Sequence, residues 1–239
     1  MVTSAVAILH DNSAHGEDRY LTRVLGGHAL LDAVMDGVTR RRGGQASRLV
    51  MDALSAAPLA SVDDVVAVLG EVNQRLYQTG GGRFLLTTVS AALYRDGKLC
   101  VVSVGDSAVF FIRSDSCQQL CGSVRGAFIG ACKQLVPLYR AEMTVEPGDR
   151  LVLATDGVMC NVTSSELADI VRRTASPDEA AEQLSTIIGA RSAGGRLPEP
   201  LGGSFRDDDR TAIFRFFGAA SGRARPNNVS PPRRQSGPR

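Results

Sequence analysis

Leu99-Cys100-Val101-Val102-Ser103-Val104-Gly105-Asp106-Ser107-Ala108-Val109-Phe110-Phe111-Ile112-Arg113 is the stretch on which the reading of this chain turns. Its two apolar runs, 99–105 and 108–113, are rich in β-branched and aromatic residues and too short for helices, so they read as strands. Only Gly105-Asp106-Ser107 joins them, and a run at 86–94 reaches the first through Arg95-Asp96-Gly97. Connections this short predict antiparallel neighbours.

Working outward, residues 3–10 and 28–35 read as two further strands, the second stopped by Asp36-Gly37. Apolar residues then recur at helical spacing: Ala46, Leu49, Val50, Ala53 and Leu54 within 43–57, and Val65, Val66, Leu69, Val72 and Leu76 within 62–77. Pro58 separates these two helices. Beyond residue 113 an irregular Cys- and Gly-rich stretch leads to a strand at 138–145, a Pro147-Gly148-Asp149 turn and a buried strand at 150–155. A helix capped by Thr163 or Ser164 follows, then one that begins at Ser176-Pro177-Asp178-Glu179 and runs to about residue 188. A loop rich in Gly, Pro and Arg at 189–206 is long enough to serve a function, and 211–217 closes the domain as a strand. Strands, helices, strands, helices and a last strand predict a layered α+β sandwich rather than a βαβ repeat.

The 239 residues, 44% of them hydrophobic, suffice for one domain with a sizeable core. Five irregularly spaced cysteines suit a reducing compartment, and the close pair, Cys117 and Cys121, lacks the two further soft ligands that zinc would need. His10, His15 and His28 are too scattered for a metal cage, so metal chemistry must rest on carboxylates. The net charge of +2 hides an uneven distribution: residues 219–239 hold five arginines and no acid, leaving 22 basic against 25 acidic residues elsewhere. The Pro- and Arg-rich 219–239 segment predicts a disordered tail after a domain at 1–218. No apolar run approaches the roughly 20 residues that cross a bilayer, and the start carries no basic leader. The expectation is a soluble, cytoplasmic monomer with no membrane span, and the mildly acidic body argues against a nucleic-acid partner.

Chemistry is concentrated where acids follow apolar strands: Asp36 after 30–35, Asp106 after 101–105, Asp156 after 151–155, and Asp207, Asp208 and Asp209 just before the last strand. Any one Asp-Gly is a turn signal. Four such positions far apart in sequence predict convergence on one cleft, where bound cations relieve the mutual repulsion of the carboxylates.

In order and spacing these motifs resemble those of the metal-dependent protein phosphatases, the protein phosphatase 2C family. The resemblance runs over residues 3–217, through Gly16-Glu17-Asp18, Met35-Asp36-Gly37, Gly43-Gly44-Gln45-Ala46-Ser47, Thr87-Thr88, Val104-Gly105-Asp106-Ser107, Leu153-Ala154-Thr155-Asp156-Gly157-Val158 and Asp208-Asp209-Arg210-Thr211-Ala212-Ile213. It implies a four-layer α/β/β/α sandwich of two antiparallel sheets flanked by helix pairs. It also implies a hydrolase acting in signalling on phosphoserine and phosphothreonine of a phosphoprotein substrate. By the same resemblance Asp36 bridges two Mg²⁺ or Mn²⁺ ions, Gly37 offers its carbonyl, Asp156 and Asp208 hold one ion, and Asp18 or Glu17 lies in the shell of the other. Asp106, with Asp156, would touch a third, weaker ion. A water bridging two divalent ions supplies both a nucleophile at neutral pH and neutralisation of the phosphoryl oxygens.

Three positions depart from the pattern. Val38 stands where the family has its proton-donating histidine, Ser13 where it has a phosphate-binding arginine, and Cys160 where it has a further aspartate. Arg40, Arg41 and Arg42, just past Asp36, are the sequence's candidates for gripping phosphate in compensation. These departures also suggest an alternative, a pseudophosphatase-like binding module on the same fold with weak or no turnover. Retention of the mutually repelling Asp36, Asp156 and Asp208 speaks for the enzyme.

Overall fold

In the computed structural model, which describes residues 2–122, 124–135 and 138–219, the strands form two antiparallel sheets of five. One runs β1-β10-β9-β6-β7, with β1 at Val2–Asp11, β6 at Ala108–Ile112, β7 at Cys117–Cys121, β9 at Arg150–Ala154 and β10 at Arg210–Ala219. The other runs β2-β3-β4-β5-β8, with β2 at Arg19–Val24, β3 at Leu30–Met35, β4 at Val89–Arg95, β5 at Lys98–Val104 and β8 at Tyr139–Thr144. Helices α1 (Gly43–Ala56) and α2 (Val62–Gly80) cover the outer face of the second sheet. The four-residue α3 (Asp156–Met159), with α4 (Ser164–Arg173) and α5 (Pro177–Gly194), covers that of the first. The four-layer α/β/β/α sandwich is therefore present.

Central strands are buried on both faces, which is why they read as continuous apolar runs. On β10, Ala212 and Phe214 face the helices while Ile213 and Phe217 face the other sheet. On β5, Leu99 and Val101 face inward and Val102 and Val104 face α1 and α2. Each such buried Leu, Val or Phe contributes roughly 1.5–3 kcal/mol relative to exposure. Between the sheets lies a buried polar contact that the sequence reading did not anticipate. Arg215 of β10 donates to both carboxylate oxygens of Asp32 on β3, through Nε and, at 2.7 Å, through Nη2, and its Nη1 donates to Ser4 Oγ at 3.0 Å. Both charged side chains are about 95% or more buried.

The link that opened the sequence reading behaves differently from expectation. β4 and β5 do form an antiparallel pair through 95–98, but β5 and β6 do not pair with each other. β5 pairs with β8, and β6 with β7 and β9 in the opposite sheet. Gly105-Asp106-Ser107 is thus a crossing from one layer to the other, made possible by Gly105 at φ 110°, where a Cβ would lie 2.6 Å from Thr88 Cγ2. The crossing holds Asp106 at the end of the sandwich.

Other differences concern edges and helix ends. β2 and β7, which the periodicity does not mark, are partly exposed strands carrying Arg19, Arg23, Gln118 and Gln119, the polar character that protects sheet edges. β3 starts at Leu30, after a 3₁₀ turn at Gly26–His28. Helix α5 continues through Gly189 to a Gly195 cap at φ 65°, so the connection after it is six residues shorter than the sequence predicts. All five cysteines are free thiols. No helix among the described residues is long and apolar enough to cross a membrane. Apart from Ala219, which ends β10, the predicted 219–239 tail lies outside the described residues.

Candidate active site

Five chain segments bring their acids to one end of the sandwich. The β1–β2 loop carries Glu17 and Asp18, the end of β3 carries Asp36, the layer crossing carries Asp106, the end of β9 carries Asp156, and the lead into β10 carries Asp207, Asp208 and Asp209. Asp36 is fixed through its backbone: its carbonyl accepts from Thr88 N at 2.8 Å and Thr87 Oγ1 at 2.7 Å, and its N–H donates to Thr88 Oγ1 at 3.2 Å. Thr87 and Thr88 therefore aim a site residue. Gly37 and Gly43 pinch the loop between β3 and α1, since a Cβ on Gly37 would lie 2.4 Å from Gly43 C and 2.8 Å from Glu17 O. This pinch is the physical reason for glycine at both positions.

Asp18 is 1% exposed. Its Oδ2 accepts from Thr155 Oγ1 at 2.9 Å and Thr211 Oγ1 at 2.8 Å, one hydroxyl beside each of β9 and β10. Burial, against the pull of those two hydroxyls and with the charges of Asp209 and Asp156, pushes its pKa up to about 7. Asp36 is raised well above the usual carboxylate range by burial, then by the charges of Asp18 and Asp156. Asp106 is raised by burial and by Asp156. Burial also works against Asp209, yet the amides of His15, Glu17, Gly16 and Asp18 win and hold its pKa down. Two of these amide bonds are short, 2.8 Å from His15 N and 2.6 Å from Glu17 N. Asp209 is the clamp that shapes the acid-bearing β1–β2 loop, a role the sequence did not reveal. Replacing it with Ala should cost about 1–3 kcal/mol of stability and about 10–100-fold in divalent-metal affinity, as read by thermal unfolding and Mn²⁺ titration.

The donor set fits hard divalent cations. It is all oxygen, as Mg²⁺ or Mn²⁺ prefers, and Glu17 Oε2 is buried without a hydrogen-bond partner. Among the described residues no three His, Cys, Asp or Glu side chains stand together at single-ion spacing, so the fit rests on paired carboxylates completed by backbone carbonyl and water. Asp208 turns its Oδ1 to His15 Nδ1 at 3.1 Å and to the Asp209 amide at 2.9 Å. In the metal-free state the raised pKa values have a definite sign. Asp18 and Asp36 keep protons in the folded protein that they lose in the unfolded one, so this part of the stability is present below about pH 4. It is lost as pH rises toward about 7, where Asp18 titrates in the fold. Thermal unfolding in chelator should show the midpoint falling across that window, with Mn²⁺ reversing the fall.

Arginines also lie near the acidic end. Arg40, Arg41 and Arg42 are exposed, with Arg40 and Arg42 at φ 63° and 59°. Arg41 donates to the Arg83 carbonyl and Arg42 to Gln45 Oε1. Guanidiniums whose charge acts on the acidic end include Arg125, which partly opposes the rise of Asp106 and Cys160, and Arg206, whose Nη1 lies 3.5 Å from Cys160 Sγ. Arg125 comes from the irregular β7–β8 connection and Arg206 from the lead into β10, where no apolar periodicity marks them. His15 is the imidazole brought to the cluster, and its pKa is raised by the hydrogen bond to Asp208. His10 stands behind it, Nδ1 to Thr211 Oγ1 at 3.0 Å.

Two antiparallel sheets flanked by helices, with acids from both sheets gathered at one end, define the architecture of the protein phosphatase 2C class. The model of the Stage II sporulation protein E (SpoIIE) family matches residues 42–214, and the chain belongs to that family. The match includes Asp106, Asp156 and Asp208 and begins after Glu17, Asp18 and Asp36. Solved structures share the fold at low identity. PppA, a regulatory component of the type VI secretion system (T6SS) in Pseudomonas aeruginosa, is 22% identical, with 90% of this chain and 97% of that one covered and a TM-score of 0.72. Staphylococcus aureus serine/threonine phosphatase Stp1 is 18% identical over 92% and 96%, with a TM-score of 0.73. The catalytic domain of the serine/threonine phosphatase PstP, solved with two manganese ions, is 18% identical over 92% and 100%, with a TM-score of 0.72. No curated protein matches the sequence significantly.

Proposed function

We infer that the chain is a metal-dependent phosphatase that hydrolyses phosphoserine and phosphothreonine in proteins. The observation that carries this reading is the gathering of half-buried Asp36 and Asp156 with fully buried Asp18 at one end of the sandwich, a set of like charges that a scaffold has no reason to keep. Asp36, the Gly37 carbonyl, Asp156 and Asp208 would hold two Mg²⁺ or Mn²⁺ ions, with Asp18 and Glu17 acting on their shell and Asp106 beside Asp156 offering a weaker third position. When bound, such ions lower the pKa of coordinated water and neutralise phosphoryl charge. The chain's own residues do the rest. Thr155 and Thr211 hold Asp18, Thr87 and Thr88 aim Asp36, and Asp209 keeps the loop of Glu17 in place. Arg125 and Arg206 present guanidiniums at the acidic end, and Arg40, Arg41 and Arg42 offer further cations beyond Asp36 for a phosphoprotein approaching it.

His15, at the edge of the cluster, is placed to protonate the leaving oxygen in a chain where Val38 cannot. General acids contribute about 10²–10⁴-fold, and most of that is unneeded for a leaving group as good as nitrophenolate. His15→Gln should therefore slow phosphothreonine hydrolysis by about 10²-fold and leave p-nitrophenyl phosphate hydrolysis within a few-fold of wild type. Equal losses on both substrates would remove His15 from this role. The reading as a whole is tested by phosphate release from a phosphothreonine peptide, with Asp156→Asn beside wild type. Mn²⁺-dependent release that the substitution abolishes supports it, whereas release insensitive to chelator and to the substitution refutes it.

A further inference from the structure

At the end of the first sheet opposite the acids, a cavity of about 240 Å³ is lined by Arg113, Ser114, Gly148, Arg150 and Arg172. Arg150 begins β9 and Asp156 follows that strand's far end, so six residues of extended chain separate the two regions by about 20 Å. The lining holds three guanidiniums and no acid.

Two of the arginines are positioned by bonds that leave other donors free. Arg113 places Nε 3.1 Å from Asp149 Oδ1 and donates from Nη2 to Asp149 and to the Thr144 carbonyl. Arg172 donates from Nε to the Arg113 carbonyl at 3.1 Å, and its Nη1 reaches Asp169 only at 3.9 Å. Arg150 is the unsatisfied member. Its guanidinium lies 4.3 Å over the Phe216 ring, and its Nη1 is buried with no hydrogen-bond partner. Burial draws its pKa down. A buried donor without an acceptor is costly, and an oxyanion supplies the acceptor. Of the neighbouring acids, Asp149 is taken up by Arg113, while Asp115 and Glu146 act on Arg113 from outside the lining. The cavity is smaller than the roughly 300–1,000 Å³ of drug-sized sites, so it admits a compact group. A second cavity of about 410 Å³ shares Gly148 and Arg150 and extends past Thr3, Ser176 and Phe216, leaving room for whatever carries that group.

We propose that Arg113, Arg150 and Arg172 form a phosphate-binding pocket, separate from the carboxylate cluster, that takes a phosphate dianion, esterified or free. Planar guanidinium forks suit phosphate oxygens. The pocket needs neither metal nor turnover, so it stands or falls independently of the phosphatase reading. The same chemistry has two sources, a second phosphorylated residue on a substrate protein or free phosphate.

Calorimetric titration of the full chain with inorganic phosphate in chelator tests the proposal, because the metal-free carboxylates repel anions. One-site binding is expected in wild type, weakened at least tenfold in Arg150→Met, which keeps an apolar stem on Phe216, and in Arg172→Gln. Should Arg150→Met fail to fold, the partly exposed Arg172 decides the matter alone. A phosphothreonine peptide titrated in parallel separates the sources. Tighter binding than free phosphate, lost in the same variants, identifies a phosphorylated protein segment, and weaker binding identifies free phosphate. Absence of binding to wild type at millimolar phosphate, or unchanged affinity in the folded variants, overturns the pocket.

Discussion

Asp36→Asn should lower metal-dependent turnover by two to three orders of magnitude while making the metal-free protein more stable. Asp36 stands at the meeting point of the site, with burial and then the charges of Asp18, Asp156 and Asp208 all disfavouring its ionised form. Asn keeps the shape and removes the charge. The activity loss follows because Asn would weaken the hold on the ions that neutralise developing phosphoryl charge, and removing stabilisation of that kind costs about 10²–10³-fold. The stability gain follows because like charges held together without a cation oppose folding. A gain of about 1–2 kcal/mol would raise the unfolding midpoint by about 2–8 °C in a domain of this size. Added Mn²⁺ should then stabilise wild type more than the variant, reversing their order. A variant that retained wild-type turnover in Mn²⁺ would place Asp36 outside the metal shell.

The largest stability loss should come from a residue remote from the chemistry. Asp32→Ala strands the Arg215 guanidinium between two sheets, with only Ser4 Oγ left to accept from it. Removing one partner of a buried pair costs about 3–5 kcal/mol, because the other charge stays buried and uncompensated. At about 2–4 °C per kcal/mol the unfolding midpoint should drop by roughly 10 °C. The double replacement Asp32→Leu with Arg215→Met should recover most of the loss, since apolar groups of similar volume replace buried ion pairs at little cost. If the single variant unfolds within about 2 °C of wild type, the pair contributes nothing to holding the two sheets together.

What the sequence made legible followed burial. Strands covered on both faces, such as β5, β6 and β9, carry unbroken apolar runs, and α1 and α2 carry clear helical spacing, so all of these are readable from residue type alone. β2 and β7 are not, because edge strands need polar side chains and show no alternation. The acids at strand ends were legible as a convergent set because the chain must leave each strand at the same end of the sandwich. Their supports were not. Asp209 as a clamp on four amides, Thr155 and Thr211 on Asp18, and Arg215 on Asp32 all join residues more than 50 positions apart, and no local pattern encodes such pairs. The Gly105-Asp106-Ser107 link shows the limit most plainly. Its length permits a hairpin, but pairing partners from β8 and β9 decide that the chain crosses between layers instead.

The most direct measurement is phosphate release from a phosphothreonine peptide by the wild-type chain, followed against bound Mn²⁺ from zero occupancy upward. Two ions at the Asp36, Asp156 and Asp208 cluster should bring turnover from nil in chelator to a rate that rises with occupancy. Both ions bound with no phosphate released would contradict the phosphatase and leave a binding module on the same fold.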